Sequence, residues 1–140
     1  MSTQVEETLV LIKPDGVARN LTGEILRRIE AKGYSLVDMK LLQAERSLLA
    51  RHYAEHAGKP FYEPLIEFME SGPIVAFRIA GNRVIEGFRA LAGTTDPTTA
   101  APGTIRGDLG RDWGVRVQQN LVHGSDSPES AAAELALWFD

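Results

Sequence analysis

The chain has 140 residues, of which 44% are hydrophobic and 24% are charged. This composition is typical of one globular domain and not of a disordered chain, so we expect a single domain over residues 1–140. Lys and Arg number 15 and Asp and Glu number 19, which gives a formal net charge of -4. A chain this acidic is not expected to bind nucleic acid through a broad basic surface, although a few converging cations could still bind a small polyanion.

Cysteine is absent from the sequence, which excludes disulfides, a thiol nucleophile and thiolate zinc sites. No apolar run approaches the roughly 20 residues that a membrane span requires. The N-terminal segment, residues 1–7, is polar and acidic, unlike a signal peptide. We therefore expect a cytoplasmic protein that does not associate with membranes.

The hydrophobic pattern predicts four strands separated by helical segments. The predicted strands are residues 8–12, 34–42, 74–79 and 115–121, and the predicted helices begin near residues 22, 45, 82 and 127. Thr22 and Asn82 are predicted to be N-caps, and Gly33 and Gly93 are predicted to end their helices. Residues 94–112 are rich in Thr, Pro, Gly and Asp, and a loop of this length in a compact domain is usually functional.

The predicted elements follow the order β-α-β-(αα)-β-α-loop-β-α, which contains two β-α-β halves. This order favours a ferredoxin-like split βαβ fold of the α+β class over a doubly wound parallel sheet. We therefore predict a four-stranded antiparallel sheet covered by helices.

Two short patterns bear on cofactor chemistry. Neither glycine-rich nucleotide fingerprint, G-x-x-x-x-G-K-[ST] or G-x-G-x-x-G, occurs in the sequence. The segment from His52 through Glu55 to His56 matches H-x-x-E-H, the motif of inverted zinc metalloproteases. Its spacing would place both imidazoles on one helical face, as zinc requires. The motif is short enough to arise by chance, so a zinc site is a rival hypothesis to a helix that simply carries two histidines.

His123 lies where the chain leaves the fourth predicted strand, in the segment Asn120-Leu121-Val122-His123-Gly124-Ser125-Asp126. Such a position exposes a side chain while rigid elements hold its backbone. Imidazole is a competent nucleophile near neutral pH, although a hydrogen-bonded histidine in a tight turn is the simpler interpretation. The pattern G-x-S-x-G is absent, which disfavours a Ser/His hydrolase and leaves Ser125 as an orienting hydroxyl.

Three cations stand out along the chain. Lys13 follows the first strand, Arg89 lies late in the helix after the third strand, and Arg106 lies in the long loop between two glycines. Each alone would be a solvated surface charge. The glycines beside Arg106 suggest a backbone path that is held for a purpose.

Taken together, these segments resemble the nucleoside diphosphate kinase family, from about Glu7 to Phe139. The most specific match is the segment from Asn120 to Asp126, which resembles the family's active-site signature. The other matching segments, which fall in the family's order, are Lys13-Pro14-Asp15-Gly16, His52-Tyr53, Pro60-Phe61, Ser71-Gly72-Pro73 and Pro102-Gly103-Thr104-Ile105-Arg106.

The resemblance implies an enzyme that transfers the γ-phosphate of a nucleoside triphosphate, mainly ATP, to nucleoside diphosphates and so maintains NTP and dNTP pools. It implies ping-pong kinetics with His123 as the phosphohistidine intermediate, because one site must serve donor and acceptor in turn. A neutral imidazole attacks in line through its unprotonated nitrogen and needs no separate base. The protein's task is then positioning and charge stabilisation.

The resemblance also implies roles for other residues. Glu134 would orient His123 with support from Ser125, Tyr53 would lie near the γ-phosphate, and Phe61 would stack on the base, which suits an enzyme indifferent to base identity. The residues implied to bind the ribose and phosphates are Lys13, Arg89, Thr95, Arg106 and Asn120. Mg²⁺ would bridge the phosphates without protein ligands, and the family's counterparts of His52 and His56 lie near the nucleotide cleft and do not bind zinc.

The sequence also departs from the family's pattern. Residues 107–119 form a longer segment than usual, Asp96 stands where Asn is common, and the chain ends without the C-terminal extension of many members. Loop and C-terminal segments make subunit contacts in the family, so we expect a homo-oligomer, with a hexamer favoured and a tetramer open. A homologue that binds nucleotide without turnover is a third hypothesis, although it would have no need of His123.

Overall fold

The computed structural model describes residues 5–139, so Met1 to Gln4 of the polar N-terminal segment and Asp140 lie outside the described residues. The strands are β1 (Glu6–Ile12), β2 (Ser35–Leu42), β3 (Ile74–Gly81) and β4 (Val122–Gly124). The helices are α1 (Pro14–Ala18), α2 (Thr22–Ala31), α3 (Arg46–His52), α4 (Tyr62–Met69), α5 (Val84–Ala92), α6 (Ile105–Leu109) and α7 (Pro128–Phe139), with a 3₁₀ turn at Ala54–His56.

The four strands form one antiparallel sheet in the order β2-β3-β1-β4. The two long central strands pair along their whole length, from Glu6 opposite Gly81 to Ile12 opposite Val75. This arrangement confirms the predicted ferredoxin-like α+β fold with its antiparallel sheet.

Both faces of the central strand β1 are buried, which explains why its sequence contains an unbroken apolar run. Val10 and Ile12 belong to a core cluster with Ile25 of α2 and Phe88 of α5. Leu9 and Leu11 on the opposite face belong to a second cluster, whose other members include Leu49, Ile66 and Trp138 of α3, α4 and α7. All four of these β1 side chains are fully buried.

The predicted N-caps are wrong at both helices, whereas both glycines predicted to end helices are confirmed, since Gly33 directly follows the C-terminal cap of α2 with a φ of 105°. Leu21 precedes α2, so Thr22 is already the first helical residue. Arg83, not Asn82, precedes α5, and its φ of 55° lies in the left-handed region. Gly93 ends α5 with a φ of 89°, a conformation that glycine adopts without strain.

The fourth strand lies later in the chain than residues 115–121, where we predicted it. Ile12 pairs with Val122, so any pairing before Val122 would fall beyond the end of β1. One further backbone bond forms, from Lys13 N–H to the Leu121 carbonyl at 2.8 Å. The next residue of the first strand would be Pro14, which has no N–H and begins α1. The alternating apolar pattern before Asn120 therefore has no strand to pair with.

Two short helices lie where the sequence predicted irregular chain. The turn signal at Lys13 continues into α1, with its proline at the first helical position. The loop predicted over residues 94–112 contains α6, where the side-chain oxygen of Thr104 accepts a hydrogen bond from Gly107 N–H at 3.0 Å. No helix within residues 5–139 is long and apolar enough to cross a membrane.

Two helical glycines provide a matched test of packing beside the sheet. A Cβ at Gly87 would overlap the Tyr34 hydroxyl, whereas a Cβ at Gly23 would meet open space. Gly87→Ala is therefore expected to lower the free energy of unfolding by about 1–3 kcal/mol through overpacking. Gly23→Ala should raise it by about 0.4–1 kcal/mol, because the unfolded chain loses entropy. Urea unfolding followed by circular dichroism measures both, and a stabilising Gly87→Ala would contradict the packing of Tyr34.

Candidate active site

A cleft of about 760 Å³ lies beside β4 and is bordered by α3, α5 and α7. The sequence-predicted site residues that line it are Lys13, Tyr53, Arg89, Thr95, Arg106, Asn120, His123 and Glu134. An adjoining cavity of about 610 Å³ shares Lys13, Thr95 and Asn120 with it and adds Phe61. Ser125 is buried and does not line either cavity. The fold thus gathers residues from distant parts of the chain at one end of the sheet.

His123 is held by Glu134, as the sequence comparison with the family implied. Its Nε2 lies 2.7 Å from Glu134 Oε1, and the Ser125 hydroxyl donates to the same oxygen at 2.8 Å. A carboxylate only accepts hydrogen bonds, so Nε2 carries the ring proton of the neutral imidazole. The lone pair is then on Nδ1, which is the nitrogen available for nucleophilic attack.

The environment of Glu134 keeps its carboxyl group ionised. Burial alone would raise its pKa, but the hydrogen bonds from His123 and Ser125 and the electrostatic interaction with His123 outweigh burial, so the pKa lies below its ordinary value. An ionised carboxylate fixes the tautomer of the histidine and also stabilises positive charge on the ring.

His52, at the end of α3, lies against His123 with ring centroids 4.7 Å apart and ring planes at 78°. Among the described residues, the one group that could hold a metal ion combines His52, His123 and Glu134, with ligand atoms within 4.8 Å of one another. The Trp138 indole N–H, which can only donate, bonds to His52 Nδ1 at 3.0 Å. His52 Nε2 therefore carries a proton and is not a metal ligand in this arrangement.

The zinc hypothesis for the H-x-x-E-H motif does not fit the geometry. His56 does not belong to the candidate metal group, which within residues 5–139 takes in only His52 from the motif. The His56 ring instead stacks on Tyr53 and lies edge-on to Phe61, with centroids 6.1 and 5.2 Å away. The helix ends at His52 and a 3₁₀ turn follows, so the two histidines do not share one α-helical face.

Lys13 and Asn120 form a polar pair at the floor of both cavities. Lys13 Nζ donates to Asn120 Oδ1 at 2.8 Å, and Asn120 Nδ2 donates to the Thr95 carbonyl at 3.1 Å. Burial, with Arg106 nearby, lowers the pKa of Lys13 to about 8, although Asp15 opposes this shift. The ammonium group is therefore charged at neutral pH but easily neutralised above it.

Leu121 is held in a left-handed conformation next to this pair, with a φ of 73°. Its N–H donates to Asp15 Oδ2 at 3.1 Å, and its carbonyl accepts from Lys13 N–H. Burial raises the pKa of Asp15, against the opposing effect of Lys13. A non-glycine residue with positive φ is uncommon and persists where surrounding bonds determine it. These bonds set the direction in which the chain enters β4.

The Arg106 guanidinium bonds to three backbone carbonyls at once. Its Nε donates to Asn120 at 3.1 Å, and its two terminal nitrogens donate to Gly93 at 2.8 Å and Val122 at 2.7 Å. Burial, together with the charge of Arg89, lowers its pKa to about 10. Arg106 therefore joins the end of α5 to both sides of Leu121, and its remaining N–H groups can still donate to a ligand.

Arg89, Tyr53 and Phe61 each have a group at the site that the protein leaves available: a guanidinium, a hydroxyl and an exposed part of an aromatic ring. Arg89 is exposed, and its guanidinium group makes no hydrogen bond or ion pair with another described residue. The Tyr53 hydroxyl is buried without a partner in residues 5–139, and burial together with Glu134 raises its pKa. Phe61 is 49% exposed although it is a large apolar side chain. Such groups at a cleft are suited to contact a ligand.

Three residues of this site were not among the predicted ones. The sequence places His52 in a possible zinc motif and, by resemblance, near the cleft, and it places Asp15 in a turn that matches the family, but it assigns neither residue a role in the site. Trp138 is fully buried, and its apolar character conceals its hydrogen bond to His52. Their positions depend on contacts between distant segments, so local sequence patterns do not reveal them.

The cleft thus combines an oriented imidazole with cations and an exposed aromatic ring, which is the chemistry of a nucleotide-dependent phosphotransferase. A sequence model of the family described as nucleoside diphosphate kinase matches residues 6–140. The chain belongs to this family, whose general mechanism is ping-pong phosphoryl transfer, and it is a nucleoside diphosphate kinase in function.

Individual relatives agree with the family assignment. The chain is 58% identical to a nucleoside diphosphate kinase of Streptomyces avermitilis over 135 residues, which covers 96% of each protein. It is 59% identical to that of Mycobacterium avium, again with 96% of each covered. The fold matches a halophilic nucleoside diphosphate kinase from Halobacterium salinarum in complex with CDP, with a TM-score of 0.91, 45% identity and coverage of 98% of this chain and 89% of the other.

The three carbonyl bonds of Arg106 predict that lysine cannot replace it. Arg106→Lys keeps the charge but cannot reach three diverging carbonyls. Leaving buried carbonyls unpaired should lower the free energy of unfolding by about 1–3 kcal/mol. The exposed Arg116 supplies a control on the same segment, because Arg116→Lys should change stability by less than about 0.5 kcal/mol. Equal stability of the two variants in thermal unfolding would contradict a structural role for Arg106.

Proposed function

We propose that His123 Nδ1 attacks the γ-phosphorus of a bound nucleoside triphosphate and carries the phosphoryl group to a nucleoside diphosphate. The observation that carries this proposal is the bond from Nε2 to Glu134, which leaves the lone pair on Nδ1 of a residue that lines the cleft. The proton stays on Nε2 throughout, so no separate base is needed. Ser125 supports the step by bonding to the same carboxylate oxygen.

The cleft's cations are proposed to bind the phosphates. Arg89 has its whole guanidinium group free of bonds to other described residues, and Arg106 retains N–H groups beyond its three carbonyl bonds. A guanidinium group suits this task because its planar fork donates two hydrogen bonds to phosphate oxygens. The Thr95 and Tyr53 hydroxyls supply neutral donors, with Tyr53 placed toward the γ-phosphate.

The adjoining cavity is proposed to bind the nucleoside. Phe61 lines it with its ring partly exposed, so it can stack on a base of any identity. Lys13 and Asn120 line both cavities. They are therefore proposed to bind the nucleotide where its ribose joins its phosphates. The Halobacterium relative was solved with CDP, which supports a nucleoside diphosphate as ligand.

Magnesium is proposed to enter with the nucleotide, since the family generally depends on it. The described residues offer no set of three carboxylates, and Mg²⁺ commonly takes substrate phosphates, waters and only one or two carboxylates. Asp126 and Glu129 are exposed at the cleft and are the carboxylates proposed to contact its bound water. The ion supplies neutralisation of charge on the phosphate oxygens during transfer.

A homo-oligomer is proposed, with a hexamer favoured over a tetramer. Among residues 5–139, no strand pairs with the outer edge of β2. This edge strand carries exposed apolar side chains, Val37 at 50%, Met39 at 47% and Leu41 at 67%. An unprotected apolar edge strand tends to pair with another chain. If a second copy paired through its own β2, the β2 edge of each copy would be covered.

Labelling with γ-³²P-ATP and Mg²⁺ tests the proposed nucleophile. The wild type should acquire an acid-labile, alkali-stable phosphate, as expected for phosphohistidine, and unlabelled nucleoside diphosphate should discharge it. His123→Ala should take up no label, because no other imidazole has its Nε2 bound to a carboxylate within the described residues. His56→Ala is the control and should still become labelled.

Equal labelling of wild type and His123→Ala would contradict the proposed nucleophile. Label that stays on the wild type when nucleoside diphosphate is added would contradict ping-pong transfer and favour a homologue that does not turn over.

The pKa of Lys13, about 8 instead of 10.5, predicts how affinity depends on pH. Lysine is charged below its pKa, so the contribution of Lys13 to Mg-ADP binding should be present at pH 7 and lost as the pH rises through about 8. Nucleotide phosphates are already ionised there, because their last pKa is about 6.

Isothermal titration of Mg-ADP between pH 7 and pH 9.5 measures this loss. Lys13→Arg should bind with little change over the same range, because arginine stays charged. A flat profile for the wild type would show that Lys13 does not contribute charge to binding.

A further inference from the structure

His52 holds a polar hydrogen next to the proposed nucleophile. The indole N–H of Trp138 donates to His52 Nδ1, so the single ring proton of neutral His52 is on Nε2. Burial, followed by the electrostatic interaction with the neighbouring His123, lowers the pKa of His52 to about 3, which keeps the ring neutral. Trp138 is itself fully buried and cannot turn away to free Nδ1. The tautomer of His52 is therefore fixed by the core of the protein.

The donor so created has no partner within the protein. Across the described residues, no hydrogen bond is made by His52 Nε2, while the residue lines the same cleft as His123. A ring nitrogen of His52 and one of His123 lie within 4.8 Å of each other, and the rings meet edge to face. Among the described residues the two rings are not hydrogen-bonded to each other, so the Nε2 donor of His52 is free to bond to an oxygen of a phosphoryl group bound beside His123 in the shared cleft.

We propose that His52 donates a hydrogen bond from Nε2 to the phosphoryl group as that group transfers to and rests on His123. The proposal rests on the proposed phosphorylation of His123. In that step the Nδ1 lone pair forms the nitrogen–phosphorus bond, and the bond from the γ-phosphorus to its bridging oxygen breaks. The nucleoside diphosphate leaves with that electron pair, and no proton moves.

A fixed neutral donor suits this step for two reasons. Charge builds on the transferring oxygens, and donors already held in place stabilise it without reorganisation. The donor also keeps its proton, because Trp138 occupies the only other ring nitrogen. His52 therefore contributes to the half-reaction that handles the phosphoryl group and not to binding of the nucleoside diphosphate.

Two substitutions of His52 separate hydrogen bonding from packing. His52→Phe keeps a ring of similar shape but removes the donor and the acceptor. His52→Gln keeps one of each, since its amide oxygen can accept from Trp138 and its amide nitrogen can donate to phosphate. In single-turnover labelling with γ-³²P-ATP, His52→Phe should form phosphoenzyme about 100-fold more slowly than the wild type. His52→Gln should recover most of that loss.

The affinity for Mg-ADP provides the readout that a merely structural role would not separate. ADP has no γ-phosphoryl group, so its dissociation constant should be unchanged in both His52 variants. Trp138→Phe removes only the indole donor and frees the tautomer of His52, so it should slow labelling by less than His52→Phe. Combining the two substitutions should slow labelling no further than His52→Phe alone, because both act through one hydrogen bond chain.

Labelling of His52→Phe at the wild-type rate would overturn the proposal. So would equal losses in His52→Phe and His52→Gln with weakened Mg-ADP binding, which would mean that His52 only packs. Thermal unfolding of each variant shows whether it is folded, and the His52→Gln comparison stays informative if His52→Phe is not. Absence of label on the wild type would instead contradict the proposed function, so the two failures are distinguishable.

Discussion

The bonds from the Arg106 guanidinium to three backbone carbonyls are the interaction on which the geometry of this site depends. They connect Gly93, where α5 ends, to Asn120 and Val122 on either side of Leu121. β4 contains only three residues, too few for its own ladder to fix it securely. The strand that carries His123 therefore takes its position from one buried cation and from the Asp15 carboxylate that holds Leu121. Hydrogen bonds to a charged group are stronger than neutral ones, so a single side chain can serve this purpose.

A second principle is the separation of roles among neighbouring imidazoles. The ring centroids of His123 and His52 lie 4.7 Å apart, yet a different ring nitrogen is hydrogen-bonded in each residue. A carboxylate acceptor keeps the proton of His123 on Nε2, and an indole donor excludes a proton from Nδ1 of His52. The first ring is left with its lone pair on Nδ1, as the proposed nucleophile requires, and the second with an N–H group on Nε2, as the proposed donor requires. Two similar side chains differ because they have different hydrogen-bond partners. These partners, Glu134 and Trp138, both belong to α7.

Much of the fold could be predicted from the sequence, because hydrophobic periodicity and glycine positions report burial directly. The central strands, α2, α5 and α7 follow from such local signals. The fourth strand could not be placed, since residues 115–121 alternate convincingly and only the end of β1 at Pro14 prevents their pairing. The predicted N-caps were also wrong, because Arg83 precedes α5 in a left-handed conformation that no residue preference indicates.

Among the site residues, His123 and its cations were recognisable by motif. Trp138 and Asp15 were not, because an indole in an apolar helix and an acid in a turn show their roles only through distant partners.

The hydrogen bonds of Arg106 to backbone carbonyls affect how this chain tolerates insertions. The segment after Arg106 runs to Asn120, and Arg106 Nε donates a hydrogen bond to the Asn120 carbonyl. The two ends of this segment are thus hydrogen-bonded to each other, and the residues between them do not pair with β1. Added residues cost only the slowly growing entropy of a longer loop and are not transmitted to His123. A change in the length of this segment can therefore alter the lining of the adjoining cavity, to which Arg116, Val117 and Gln118 contribute, while the position of His123 in β4 is kept.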